Sequence, residues 1–350
     1  MLGNSWHKKE MPLVSLIGMG GGIASPAFLA SIVLNILKPT VFSPADDTGV
    51  PDFDYTAESS AITNIGTITV PGTTVFNTTT YTGNSSSQTI SNGIDLSGEG
   101  GLVWLKNRDV YANNVLYDTE RGATHWLNTD NTNGEGDPGG TFITYNSDGF
   151  TVGNNATLNY SGYNMVSWTF RKSSQFFDIV TYTGDGSDSQ ELAHNLNIKP
   201  GMILVKCISS STLPNGNPSN WHVYHQDMGN PAYGGKSYAA FLNLTNSADP
   251  SAAYWNNTDP TSTHFTVGGN NNQSGATFIA YIFADNPSNK IKCGGYTGTG
   301  SGGNRVELGF EPSFLLVKSS SSSDAYTCLL YTSDAADEGL GVDLGGRRII

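Results

Sequence analysis

Along residues 164–170, Val166, Trp168 and Phe170 alternate with Met165, Ser167 and Thr169. Further on, Ile279, Tyr281 and Phe283 stand at matching positions in Thr277–Phe283. A period of two puts one set on one face and predicts a half-buried β-strand. The run Gly101-Leu-Val-Trp-Leu-Lys106 is apolar on both faces. That pattern predicts a central strand covered by another sheet. Its Val and Trp content, with Ile in the matching run at 201–206, favours strand over a short helix. Tyr81-Thr82-Gly83-Asn84 reads as a strand entering a turn, with glycine supplying a positive φ.

These blocks recur in order. Tyr81-Thr-Gly-Asn84 returns as Tyr182-Thr-Gly-Asp185 and as Tyr296-Thr-Gly-Thr299. Gly101–Lys106 returns as Gly201-Met-Ile-Leu-Val-Lys206 and as Ser313-Phe-Leu-Leu-Val-Lys318. Phe150-Thr-Val-Gly153 returns as Phe265-Thr-Val-Gly268, and Asn164–Phe170 as Thr277–Phe283. From first copy to second the offset is 100 to 101 for the early blocks and 113 to 115 for the late ones. Insertions such as Leu213–Ser219 explain the growth. A fixed order of matched blocks is the signature of a repeat architecture.

The expected fold class is therefore all-β, built as tandem β-sandwich modules of jelly-roll or concanavalin-like type. An apolar N-terminal segment (1–45) and a proline-marked linker (46–73) lead into module one at 74–175. Module two spans 176–289, and a truncated third copy spans 290–327. That third piece is too short to bury a sandwich core alone. It is expected to pair opportunistically or to be poorly ordered.

Composition narrows the setting. Charged residues make up 13% of the 350, and Gly contributes 42. Hydrophobic residues at 37% are enough to fill cores, which excludes a disordered chain. The net charge of -13 argues against nucleic acid as a partner. Cys207, Cys293 and Cys328 match no metal spacing and no disulfide framework, and buried free thiols are expected.

The ends need separate treatment. No charged residue occurs from Met11 to Leu37. That stretch is long enough to span a bilayer or to act as a signal peptide. Gly20-Gly21-Gly22 and Pro26 weaken a continuous helix, which leaves a segment buried in an assembly as the third reading. Residues 328–350, with CLLYTSDAADE and VDLGGRRII, resemble a translated sequencing adapter. On that reading the natural protein continues differently past Thr327.

The search for chemistry is mostly negative. A glycan hydrolase needs two carboxylates on one surface. Asp185, Asp188 and Glu191 are the nearest cluster, but a solvated hairpin explains them, and the matching turns lack acids. Asp130, Thr132, Gly134 and Asp137 only loosely follow a calcium loop. His222 and His225, three apart on a strand, face opposite ways and read as surface or rim residues. No catalytic residue, metal site or cofactor is assigned. The candidate binding residues are Trp126, Trp221, Tyr224, Tyr254 and Trp255, aromatics beside polar loops that suit stacking on sugars. Trp104 and Trp168 are assigned to cores.

The blocks Gly101-Leu-Val-Trp-Leu-Lys-Asn-Arg-Asp109, Ser147-Asp-Gly-Phe-Thr-Val-Gly153 and Trp168-Thr-Phe-Arg171 resemble repeated domains of structural proteins of marine bacteriophages. Those domains form an uncharacterised family, loosely described as concanavalin-like. The resemblance covers roughly 74–327 and implies a β-sandwich in an extracellular virion protein, such as a tail fibre. The partners it implies are other virion proteins and a host surface glycan, with homo-oligomers natural for a fibre. It carries over no site residues. The alternatives are a secreted bacterial carbohydrate-binding or adhesin array and, third, a glycan hydrolase.

Overall fold

The computed structural model describes residues 74–136, 140, 142–228, 235–300, 304–310, 312–321 and 327–331. The apolar N-terminal segment and its linker lie outside the described residues, as does the tail from 332 onward. All described residues fall in one compact unit, 71–350.

The architecture is all-β and antiparallel. The first half contributes β1 (Phe76–Thr82), β2 (Gln88–Ser91), β3 (Gly101–Asn107), β4 (Val115–Asp118), β5 (Leu127–Asn128), β6 (Ile143–Asn146), β7 (Gly149–Val152) and β8 (Asn164–Arg171). The second contributes β9 (Phe177–Thr183), β10 (Gln190–Ala193), β11 (Pro200–Cys207), β12 (His222–His225), β13 (Tyr238–Phe241), β14 (Asp249–Pro250), β15 (His264–Val267) and β16 (Thr277–Ala284). One large sheet runs β1-β8-β3-β4-β5, and the other runs β9-β16-β11-β12-β13-β14. Their orders coincide strand for strand, with β14 added at the edge of the second. Registers coincide too: Trp104 faces Trp168 and Leu116, as Leu204 faces Tyr281 and Val223.

Three hydrophobic clusters show how the sheets stack. Val103, Leu105, Val115 and Tyr117 pack with Ile90, Ile143, Phe150 and Val152 of the smaller sheet β2-β7-β6. In the second half Ile203, Val205, Phe278 and Ile282 pack with Phe265 and Val267 of the pair β10-β15. The remaining faces of the two large sheets meet each other. Trp104, Leu116, Val166, Trp168 and Phe170 share one cluster with Phe177, Leu204, Trp221, Val223, Tyr281 and Phe283.

This corrects one expectation. Strand β8 is not half-buried: from Met165 to Arg171 every residue is buried, including Ser167 and Thr169. The alternation records which of two apolar layers each side chain enters, not core against solvent. Trp104 and Trp168 are core residues, but they sit between the two large sheets. Their rings meet edge to face at 6.1 Å. Removing either is expected to cost about 3–5 kcal/mol.

A buried polar link crosses the same layer. Tyr281 donates to Asp118 Oδ2 at 2.7 Å, and Arg121 Nε donates to that oxygen at 2.7 Å. Asp118 is fully buried, and the Arg121 side chain nearly so. Beyond the halves, β17 (Phe314–Lys318) pairs with β18 (Thr327–Tyr331). Phe314 lies against Phe76, Trp104, Trp168 and Phe170, with ring centroids 5.5 to 6.1 Å away. The third copy thus leans on the shared layer rather than building a core of its own.

The turn motif is explained atom by atom. Tyr81 Oη donates to the Leu158 carbonyl at 2.7 Å, and Tyr182 Oη to the Asn271 carbonyl at 2.8 Å. The next residue in each case is a fully buried asparagine, Asn159 or Asn272. Asn159 accepts from the Asn84 main-chain N–H and donates to the Ser86 carbonyl; Asn272 does the same with Asp185 and Ser187. Gly83 and Gly184 do not have the positive φ expected of them; a Cβ on either would instead collide with the carbonyl of Tyr160 or Gln273, so only glycine fits.

Candidate functional site

Four of the five nominated aromatics are buried. Trp221 stacks on Tyr281 at 6.1 Å and donates Nε1 to the Asn128 carbonyl at 2.9 Å. Trp255 donates Nε1 to the Tyr238 carbonyl at 2.9 Å and meets Tyr224 edge to face at 5.8 Å. Tyr254 donates to Asp249 Oδ2 at 2.7 Å. All four have relative exposures of 5% or less, so their ring faces are taken by neighbours rather than open to a ligand.

Trp126 is different. It is half-buried and forms the wall between two clefts. The larger, about 480 Å³, is lined by Asn128, Asn133, Glu135 and the serines Ser209, Ser210 and Ser211. The smaller, about 330 Å³, is lined by Asn113, Tyr117, Asn128, Asn155 and Thr157. Trp126 and Asn128 border both.

The site is held from both halves. Trp126 exchanges main-chain hydrogen bonds with Gly136 at 2.9 and 3.1 Å, and the Gly136 backbone packs on the indole. The Glu135 N–H donates to the Ile208 carbonyl at 2.8 Å. Lys206, fully buried, donates from Nζ to the Thr132 carbonyl at 3.1 Å and to the Ser219 carbonyl at 2.6 Å. Burial pulls its ammonium down to about 8, because the charged form loses hydration. Lys106 and Lys318, at the matching place in the other copies, donate to the Ala112 and Leu244 carbonyls. The repeated lysine is therefore a loop fastener, and in the second copy it reaches into the first half.

The other sequence candidates fall apart chemically. Asp185, Asp188 and Glu191 are exposed, and Asp185 is occupied by Ser187 N–H at 2.7 Å and Asn272 Nδ2 at 2.6 Å. These bonds hold its carboxyl below the usual range. It takes the place of Asn84, whose Oδ1 accepts from the Ser86 N–H and Asn159 Nδ2 in the same way, so the position is common to both copies although the acid, as expected, is not. The Thr132 carbonyl, in the loop weighed for calcium, faces the Lys206 ammonium, and Asp137 lies outside the described residues. Among the described residues no group of three metal-ligating side chains occurs. His222 is a core residue, not a rim one: it is buried, with Nδ1 2.6 Å from Asn271 Oδ1. Burial depresses it to about 4. His225 lies on the opposite face of β12, partly buried.

Sequence reasoning missed Asn113, Asn128, Asn133, Glu135 and the Ser209–Ser211 turn. It also missed Tyr111, which is 98% exposed on the β3–β4 loop, beside the smaller cleft. One signal was available. Tyr111 lies in the β3–β4 loop, whose counterpart between β11 and β12 differs in length and sequence, and such unlike loops of a repeat are where copies differ in role.

A family model described as "Domain of unknown function (DUF7483)" matches residues 71–336. That span takes in both halves, the third copy and the start of the adapter-like tail. No curated protein and no solved structure matches the chain.

Proposed function

We propose, for a chain that belongs to the DUF7483 family, that it is a non-enzymatic β-sandwich array that contacts glycans at the surface of a virion. In this reading residues 74–175 and 176–289 are tandem modules fused face to face, and the loops around Trp126 are the contact site. The carrying observation is Trp126 itself: a half-buried indole between two polar clefts, in a molecule whose other nominated aromatics are buried. Amides and hydroxyls at its sides suit a ligand rich in hydroxyl groups.

Among the described residues Glu135 is the one carboxylate lining either cleft, whereas glycoside hydrolysis requires a pair. This favours binding over turnover. The virion setting rests on the resemblance of the repeated blocks to phage structural proteins, with other virion proteins as the remaining partners.

Two experiments test the reading. Antibodies raised against the chain should label intact particles purified from the source; labelling of host envelopes alone would favour the secreted adhesin. The chain should be retained on an immobilised neutral polysaccharide and lose that retention on Trp126→Ala. Equal retention of the variant would remove the site.

A further inference from the structure

The paired clefts carry more than a generic sugar contact. They share Trp126 and Asn128 as a common wall, so a ligand filling one abuts the other. Each, at about 480 and 330 Å³, falls in the range of small-molecule sites, about 300–1,000 Å³. Their linings differ in a useful way. Asn133, Glu135 and Ser209–Ser211 belong to the larger alone, and Asn113, Asn155 and Thr157 to the smaller alone. Among the described residues neither lining includes a lysine, arginine or histidine; the nearby cation, Lys106, is engaged by the carbonyl of Ala112 at the smaller cleft. Among the described lining residues the one charged side chain is Glu135, on a chain of net charge -13.

We infer that the site takes a linear, neutral polysaccharide that crosses Trp126, with successive sugar units seated in the two clefts. This rests on the glycan reading above and adds chain length and charge to it. Hydroxyls on either side of the crossing meet amide and hydroxyl partners, and the indole offers an apolar rail between them. Among the described lining residues an acidic glycan meets no cation, the nearby Lys106 being taken up by the Ala112 carbonyl, and it meets one carboxylate, Glu135, that repels it. The larger cleft is walled by residues of both halves, so the rail exists only where the halves are joined.

The test uses the full chain and calorimetric titration. Neutral glucan, mannan and galactan are screened first; the best is then supplied as a ladder from mono- to hexasaccharide, beside an oligogalacturonate of matched length. Affinity should rise by about tenfold or more from monosaccharide to the length that spans both clefts, then level off. The oligogalacturonate should bind at least about tenfold more weakly and regain affinity on Glu135→Gln. Asn113→Ala and Asn133→Ala, both exposed positions, should each weaken the long ligand several-fold while leaving thermal stability unchanged. Affinity independent of length, or an acidic ladder that binds as tightly, overturns the proposal and leaves glycan binding standing. Absence of binding to all three neutral polysaccharides overturns both.

Discussion

The two halves are built on one plan and diverge in two kinds of place. Strand order, register, the tyrosine–carbonyl bond, the glycine approach and the asparagine clamp are the same in 76–171 and 177–284. At Val115 and Leu158 of the first half, however, the second has His222 and Asn271, a buried polar pair 2.6 Å apart. At Asp118 the second half has His225, and the exposed loop bearing Tyr111 gives way to the Ser209–Ser211 turn. What the sheets need internally is common to both halves. The differences lie in buried polar pairs and in loops around Trp126, where the halves touch each other or the surroundings.

Substitutions can break the comparison, and the largest effect should come from Asp118. Asp118→Ala leaves the buried Arg121 guanidinium without its carboxylate and should cost about 3–5 kcal/mol in a denaturant melt. His225→Ala, at the matching position, should cost under about 1 kcal/mol. Equal losses would mean that the ion pair contributes nothing beyond packing.

Acid should find the second half first. His222 has a folded value of about 4 against about 6.5 unfolded, so between these the unfolded chain binds a proton that the folded one refuses. Stability from this group is full above about pH 6.5, falls as pH drops through the window and levels off below about 4. The total is about 3 kcal/mol. His222→Val with Asn271→Leu copies the first half and should flatten that limb at little cost at neutral pH, since both polar partners leave together. A double variant with an unchanged acid limb would reassign the effect to other groups.

The clamp should behave alike in both copies. Asn159→Ala and Asn272→Ala each strip several buried hydrogen bonds and should each cost about 2–3 kcal/mol, within about 0.5 kcal/mol of one another. A wide gap would argue that the shared geometry is not energetically shared. Smallest of all, Tyr111→Ser should shift stability by less than about 0.5 kcal/mol, because the ring is almost wholly exposed.

Much of the scaffold was legible in the sequence because repeated blocks and period-two patterns are local signals. Phe150-Thr-Val-Gly153 and Asn164–Phe170 marked strands that exist as β7 and β8. What a local signal cannot carry is which layer lies on the far side of a strand. The same alternation suits solvent or a second sheet, and β8 met a second sheet. The aromatics illustrate the matching limit for the site. Trp221 and Trp126 look alike in sequence, each beside asparagines. Only the placement of Tyr281 over one and of Gly136 beside the other separates a core residue from the wall of a cleft.

The face-to-face layer has a mechanical corollary. Trp104, Trp168 and Phe170 belong as much to the neighbouring sheet as to their own, so tearing one half loose strips the cover from the other. Proteolysis in the short connection near Ser173 should leave a nicked but intact body, whereas either fragment made alone should precipitate. Pulled by its ends, this part of the chain should yield in a single event, not in two.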